Sequence, residues 1–269
     1  GDPAYMAPEG DTDQRGQPRV VSGRIDIGAV EIQTPCRAKA GETEYASADA
    51  SAVRQAIEAA PPGGTVKVAG ACTGVSTVGD TVQTARITKN LTLEGGYAAG
   101  SWDVPDPVAY PTTLDAGAAG RVVYVASGAT VILRNLNIAH GAAADKGGGI
   151  YNEGDVTLER STVRDSSAAL GGGIFNAGSL TVLRSLVAGN TAGSDGAGIY
   201  SPSAASSLAI SNSTLADNTA TTQGGAIWSQ APAGTLEQST LAGNSASAGG
   251  GLYLAAALRD NGGGRLITT

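Results

Sequence analysis

Acidic side chains recur along the repeat in the second half of the chain, among them Asp155, Glu159, Asp165, Asp195, Asp217 and Glu237. Glycoside hydrolysis would need two of them converging on one groove, about 5 to 9.5 Å apart. They fall instead on different positions of the local pattern. Only Asp165 and Asp217 share a corner, with Gly189 taking the place between them. Stacked strands would hold that pair roughly 9 to 10 Å apart, and no supporting residue accompanies it, so both are read as turn residues. A lyase would need a Lys or Arg base beside a cation held by grouped carboxylates. Arg134, Lys146, Arg160, Arg164 and Arg184 are the available bases, and Arg160 and Arg184 occupy equivalent positions. Two such arginines repel unless an acid such as Glu159 intervenes, and the expectation is a solvated stripe able to favour an anionic glycan. His140, the single histidine, follows Ile138 at a corner and is read as a turn residue. No zinc-ligand spacing, phosphate-cradling loop or nucleophile elbow occurs. No catalytic residue, metal site or cofactor is therefore assigned, and the chain is read as a non-enzyme.

A second set of side chains could bind rather than react. Tyr151, Phe175, Tyr200, Trp228 and Tyr253 each follow the Ile or Leu of one recurring phrase. Alternation predicts that they point away from that aliphatic and form a ladder rising about 4.8 Å per step. An outward strip of this kind suits stacking on sugars or contact with a protein partner. Two structural alternatives stand beside it: rings stacked on one another to stabilise the sheet, or rings buried under a loop.

The elements that must position these residues are written in the repeat. Its glycine-led phrase is Gly147-Gly-Gly-Ile-Tyr-Asn152, then Gly171-Gly-Gly-Ile-Phe-Asn176, Gly196-Ala-Gly-Ile-Tyr-Ser201, Gly224-Gly-Ala-Ile-Trp-Ser229 and Gly249-Gly-Gly-Leu-Tyr-Leu254. A return every roughly 25 residues is solenoid spacing. Between the copies come Arg160-Ser-Thr-Val163, Arg184-Ser-Leu-Val187, Asn212-Ser-Thr-Leu215 and Gln238-Ser-Thr-Leu241, followed by corners near Ser166, Asn190, Asn218 and Asn244. Val156 and Leu158, Leu180 and Val182, and Leu208 and Ile210 alternate as half-buried strands do. Val163, Val187, Leu215 and Leu241 are predicted to stack. One coil reads as Gly-rich corner, short strand, turn, short strand and Asn corner. Each coil has almost no interior of its own and must bury its apolar row against its neighbours, while the glycines disfavour helix by about 1 kcal/mol each. The fold expected is all-β, a single-stranded right-handed parallel β-helix with a short N-terminal capping α-helix.

Composition agrees. With 269 residues, 40 glycines and 4% aromatics, the chain is poorly stocked for a globular core but suited to a narrow tube of Val, Leu, Ile and Ala. A formal charge of −7 and pI near 4.7 argue against nucleic acid and against an acidic bilayer surface. No apolar run reaches transmembrane length and no signal peptide opens the chain, so no membrane insertion is expected. The start Gly1-Asp-Pro3, without an initiator Met, is expected of a processed or engineered fragment. Cys36 and Cys72 flank the first ordered-looking segment. A disulfide, implying an extracytoplasmic compartment, and two buried thiols are the alternatives.

Residues 1–34 do not repeat and are set apart as a tail, with 35–269 as the β-helix. Within the latter, 47–60 reads as the capping helix. Ser47 or Asp49 would cap it, Val53, Ala56, Ile57 and Ala60 form its apolar stripe, and Pro61-Pro-Gly-Gly64 stops it. Irregular coils occupy about 65–120, with strands at Thr65–Val68, Ala85–Thr88 and Leu91–Glu94. Trp102 and Tyr110 are expected to fold over the helix. Regular coils run about 121–261, and no amphipathic helix follows to close the far end.

The Gly-Gly-Gly-Ile-Tyr-Asn and Gly-Gly-Ala-Ile phrases with their Asn-Thr and Asn-Ser corners resemble bacterial surface β-helix proteins of the polymorphic outer-membrane-protein repeat type, over about residues 121–261. Ile87-Thr-Lys-Asn-Leu-Thr-Leu-Glu-Gly-Gly-Tyr97, Asp106-Pro107, Pro111-Thr-Thr-Leu-Asp115 and Gly120-Arg-Val-Val-Tyr124 are similar to the N-terminal portion of secreted proteins of that kind. The resemblance implies a capping helix, an extracellular or bacterial cell-surface setting and an adhesin-like scaffold, and it carries no catalytic residue. Asp13-Gln-Arg-Gly16 with Asp26-Ile-Gly-Ala-Val-Glu31 resembles a choice-of-anchor segment, which in such proteins follows the β-helix after a phrase like Asn261-Gly-Gly263. Here the order is inverted. A fragment of a tandem array, a circular permutation, or a tail that completes the open end of a neighbouring molecule each fit, the last giving head-to-tail self-association through residues 1–34. The functional expectation is thus a non-catalytic surface scaffold with a glycan or protein partner. The alternative is a carbohydrate-active enzyme, a polysaccharide lyase or glycosidase.

Overall fold

A computed structural model describes residues 36–203, 206–230 and 234–255, with the backbone alone of 20–21 and 24–25. Three parallel sheets run lengthwise and enclose one hydrophobic core in about seven turns. In one coil the chain passes through Ile150–Asn152 on an eight-stranded face, Asp155–Glu159 on a nine-stranded face and Thr162–Arg164 on a seven-stranded face. It then crosses a small three-stranded sheet at Ser167–Ala168 before returning.

Like residues lie above like. Val163 pairs in register with Val187, Val187 with Leu215 and Leu215 with Leu241. On the nine-stranded face Val156, Leu180 and Leu208 form one column and Leu158, Val182 and Ile210 another, all buried. The glycine-led phrase carries more than a corner, however. Its Ile-Tyr-Asn portion is itself a three-residue strand, so a coil has three main strands where the sequence pattern shows two. A run that short cannot display alternation.

The glycines serve the corner before it. Gly171 takes φ +63°, a conformation costly for any side chain with a β-carbon. Gly173 is needed for space, because a β-carbon there would meet the Gly198 carbonyl oxygen at 2.7 Å.

Polar ladders replace water at the other corners. The backbone N–H of Ser161 donates to Ser185 Oγ, that of Ser185 to Ser213 Oγ and that of Ser213 to Ser239 Oγ, each at 3.1 Å. Asn152 Nδ2 donates to Asn176 Oδ1 at 2.8 Å, and Asn176 Nδ2 to Ser201 Oγ at 3.1 Å. Buried donors and acceptors are thereby satisfied from one coil to the next.

The N-terminal end is closed by two devices. The helix, Ser51–Ala59, is shorter than its sequence signal. The N-cap position falls on Ala50, which has no side-chain cap, rather than on Ser47 or Asp49; those two act from just ahead of it, Ser47 Oγ accepting from the Ala52 N–H and Asp49 Oδ1 from the Ser51 N–H. Ala52, Val53, Ala56 and Ile57 are buried in the core. Lys89 Nζ donates to the carbonyls of Glu58 and Ala60, tying off the C-terminal turn. The second device, absent from the sequence reading, is the antiparallel hairpin Cys36–Ala40 and Thr43–Ser47, which ends the nine-stranded face. The Cys36–Cys72 disulfide joins that hairpin to the first strand of the seven-stranded face, both sulfurs' residues being fully buried.

Trp102 does not fold over the helix. It packs on Tyr97, with ring centroids 5.7 Å apart, and its Nε1 donates to Glu44 Oε1 on the hairpin; Tyr110 is exposed. Of the tail, the described part is an antiparallel pairing of Val20 with Ile25 and Val21 with Arg24. The anchor-like phrases at 13–16 and 26–31, and the stretch 258–269 on which the expectation of an uncapped end rests, lie outside the described residues. Among the described residues no helix is long and apolar enough to cross a membrane.

Candidate functional site

The aromatic side chains form one column on the outer side of the eight-stranded face. In register order it runs Arg86, Tyr124, Tyr151, Phe175, Tyr200, Trp228 and Tyr253. Each ring sits beside the inward Val, Ile or Leu of its strand, so it must point out of the tube. Tyr124 on Tyr151 and Tyr151 on Phe175 meet edge to face, with centroids 5.6 and 5.1 Å apart. Further along the rings lie flatter: 5.5 Å and 29° between Phe175 and Tyr200, then 4.4 Å and 21° between Tyr200 and Trp228. Trp228 and Tyr253 are 6.5 Å apart and 14° from parallel. Stacked in this way, Tyr200 and Trp228 turn their faces to each other and their edges to solvent. Phe175 is almost wholly buried, at 4% exposure.

Cations cover the N-terminal half of the column. Arg86 lies over Tyr124, Arg121 over Tyr151 at 4.8 Å and Lys146 over Phe175 at 5.1 Å. Tyr124 and Tyr151 both donate their phenol O–H to Glu153. Burial, with the Glu153 hydrogen bond second, pushes the Tyr151 phenol up to about 12. For Tyr124 the Glu153 hydrogen bond leads and the direction is the same. Arg121 is 5% exposed and donates to the carbonyls of Gly147 and Lys146 and to Asp145. Burial pulls its guanidinium down from its ordinary value, opposed chiefly by Asp145.

Tyr124, Arg86, Arg121 and Glu153 were not among the sequence candidates. A signal for Tyr124 existed: Val123-Tyr124 stands where Ile150-Tyr151 stands one coil on. Beside this end of the column is an open depression of about 380 Å³, lined by Asp80, Thr81, Gly120, Arg121, Asp145 and Tyr151 among others.

The acidic residues of the repeat do not form a pair. Glu159 takes three arginines: Arg134 Nε at 2.9 Å, Arg184 Nη2 at 3.2 Å and Arg160 Nη2 at 3.7 Å. Its burial would raise the carboxyl, but the Arg134 bond and the surrounding guanidiniums outweigh this and hold it below its ordinary value. Asp165 and Asp217 adopt left-handed corners at φ 51° and 54°, and Asp165 is paired to Arg164. Asp195 accepts from Thr222 and Ser194. His140 is also a left-handed corner, at φ 52°, with Nδ1 2.9 Å from Asp115. Among the described residues no three His, Cys, Asp or Glu side chains gather as metal ligands would.

Residues 116–261, more than half of the chain, match the family model described as right handed beta helix region. No curated protein and no solved structure matches the chain.

Proposed function

Because the chain belongs to the right-handed β-helix family, we propose that it is a non-catalytic scaffold displayed outside the cell, holding a rigid lateral face toward a glycan or protein partner. The observation that carries this reading is where the reactive side chains are spent. Glu159 is shared by three arginines, Glu153 by two phenols, and the Asn and Ser columns bond coil to coil. Groups that a hydrolase or lyase would keep available here hold the stack together. The Cys36–Cys72 disulfide suits an oxidising compartment. It supports, with the sequence resemblance to polymorphic outer-membrane-protein repeats, a place on a bacterial surface. Within this reading residues 1–34 are an anchor-like tail able to join molecules head to tail. A strictly monomeric species in sedimentation at high concentration would remove that last element.

The lateral face we assign is the aromatic column, with Tyr151, Phe175, Tyr200, Trp228 and Tyr253. Edge presentation favours contact through the ring rims over flat stacking on a sugar ring, with the Trp228 N–H held by Gln223 Oε1 at 3.1 Å and the Tyr151 O–H by Glu153. Incubation with a panel of neutral and acidic polysaccharides is expected to release no reducing ends and no unsaturated uronate. Sustained turnover of any of them would overturn the scaffold reading.

One observation favours the enzymatic alternative, namely the depression bearing Asp80, Asp145, Arg121 and Tyr151. Its chemistry points the other way. A phenol held protonated to about 12 is a poor base at neutral pH, and Arg121 is tied into three hydrogen bonds.

A further inference from the structure

At the turn leaving the nine-stranded face, five equivalent residues take left-handed backbone: Asn135, Arg160, Arg184, Asn212 and Gln238, with φ of 56°, 46°, 49°, 49° and 47°. Asn tolerates this conformation better than any other side chain with a β-carbon beyond Asp and His. Asn135 and Asn212 follow that preference. Arg160, Arg184 and Gln238 go against it; of these the two arginines lie on adjacent coils and carry charge, and the turn does not explain their identity, so strain there points to a use for the side chain.

Their surroundings indicate the use. Glu94 and Glu159 have side chains only 14% and 13% exposed, while those of Arg160 and Arg184 are 52% and 56% exposed. The acids therefore lie beneath and the guanidiniums above. Glu159 Oε2 is taken by Arg134, which also reaches Glu94 at 3.5 Å, leaving Oε1 to be shared by Arg160 and Arg184. Three cations meet two carboxylates, so this patch keeps one positive charge on a chain whose net charge is −7.

We infer that Arg160 and Arg184 form an oxyanion-binding pair that takes successive sulfate or carboxylate groups of an acidic polysaccharide laid along the solenoid axis. Glu159 aligns the two forks, and their remaining N–H groups are directed to solvent, the geometry in which a guanidinium grips an oxyanion. The coil rise of about 4.8 Å separates the backbones that carry the two guanidiniums, both of which reach Glu159 Oε1, whereas an extended acidic peptide repeats its same-face carboxylates at about 6.7 Å. A polymer with one anionic group on each sugar comes nearer to that pitch. This surface lies on a different face from the aromatic column, and the inference does not depend on that column binding anything.

The test uses the whole chain with dextran sulfate and polygalacturonate as probes, and with neutral dextran and polyglutamate as comparators. Arg160→Asn with Arg184→Asn is the decisive variant, because Asn already serves the same turn at Asn135 and Asn212 and the fold is preserved. We expect the double variant to bind the preferred polysaccharide about tenfold more weakly or worse, with a flatter salt dependence and a Tm held or modestly lowered, since Glu159 keeps its Arg134 partner. Which probe binds more tightly distinguishes sulfate from carboxylate. Arg164→Asn, which removes an arginine elsewhere whose side chain is 42% exposed and paired to Asp165, is expected to leave binding unchanged. The inference is overturned by native-like affinity in the double variant, by an equal loss in Arg164→Asn, by binding of neutral dextran as tight as that of either polyanion, or by no binding of either. Tighter capture of polyglutamate would also overturn it, in favour of an acidic protein partner. None of these outcomes bears on the scaffold reading, which only turnover contradicts.

Discussion

Asn190 Nδ2 donates to Asn218 Oδ1 at 2.9 Å across the gap between two coils, and the same oxygen accepts the Asn190 backbone N–H at 3.1 Å. Asn218 repeats both bonds to Asn244 and donates to the Val187 carbonyl. Both Asn190 and Asn218 are fully buried, so each corner depends on the next for its hydrogen bonds.

Asn218→Ala is therefore expected to strand the Asn190 N–H and the Val187 carbonyl together. At about 1 to 3 kcal/mol for each stranded group, the loss should be roughly 3 kcal/mol, read as a lowered urea midpoint at unchanged slope. Asn244→Ala, at a half-buried corner of the last described coil, should lose less. Equal and small effects at both sites would contradict the ladder.

Gly243 sits directly above Asp217. It takes φ +63°, and a β-carbon there would run into the Asp217 carboxylate. Gly243→Ala should destabilise by about 1 to 2 kcal/mol, mostly from backbone strain, with a smaller part from displacing the exposed Asp217 carboxylate. In an Asp217→Ala background only the strain remains, so the double-mutant cycle should show a coupling of at least about 0.5 kcal/mol. Strict additivity would mean that the carboxylate is not where the structure puts it.

Replacing Cys36 and Cys72 together by Ala removes a link with a sequence separation of 36. Loop-closure entropy predicts a loss of about 4 kcal/mol, and reduction of the native protein should reproduce it in thermal melts. Because the bridge joins the capping hairpin to the first coil, hydrogen exchange should rise there before it rises in the coils that carry Asn190 and Asn218.

Tyr151 supplies a pH-dependent test. Its phenol is pushed up to about 12 by burial and by Glu153, while an unfolded tyrosine ionises at about 10. The raised folded value means that its contribution to stability is complete below pH 10 and is lost as pH rises from 10 toward 12. A spectroscopic alkaline titration should find this phenolate appearing late. Glu153→Gln should bring it earlier, since a neutral acceptor no longer penalises the phenolate by charge; no change would deny Glu153 that role.

Much of this protein was legible in its residue order, for a local reason. Alternation in Val156–Leu158 and Leu180–Val182, glycine at the left-handed corner and Asn at the polar one repeat at one period, and stacking of equal residues follows from that period alone. The capping helix was equally local, with Ser47, Asp49 and the stripe Val53, Ala56 and Ile57 within one short stretch.

What only the tertiary structure decided involves contacts between coils and the direction in which a short strand points its side chains. Three-residue strands such as Ile150–Asn152 carry too little alternation to announce a third sheet. The hairpin Cys36–Ser47 has no repeat to betray it. Whether Tyr200 and Trp228 show faces or edges to solvent depends on how two rings from neighbouring coils settle against each other. That Arg121 belongs over Tyr151, and that Glu159 serves three arginines, likewise follows from side chains brought together by winding the chain. The period of the sequence sets which residues share a column. Packing and charge between columns then decide what each one does there.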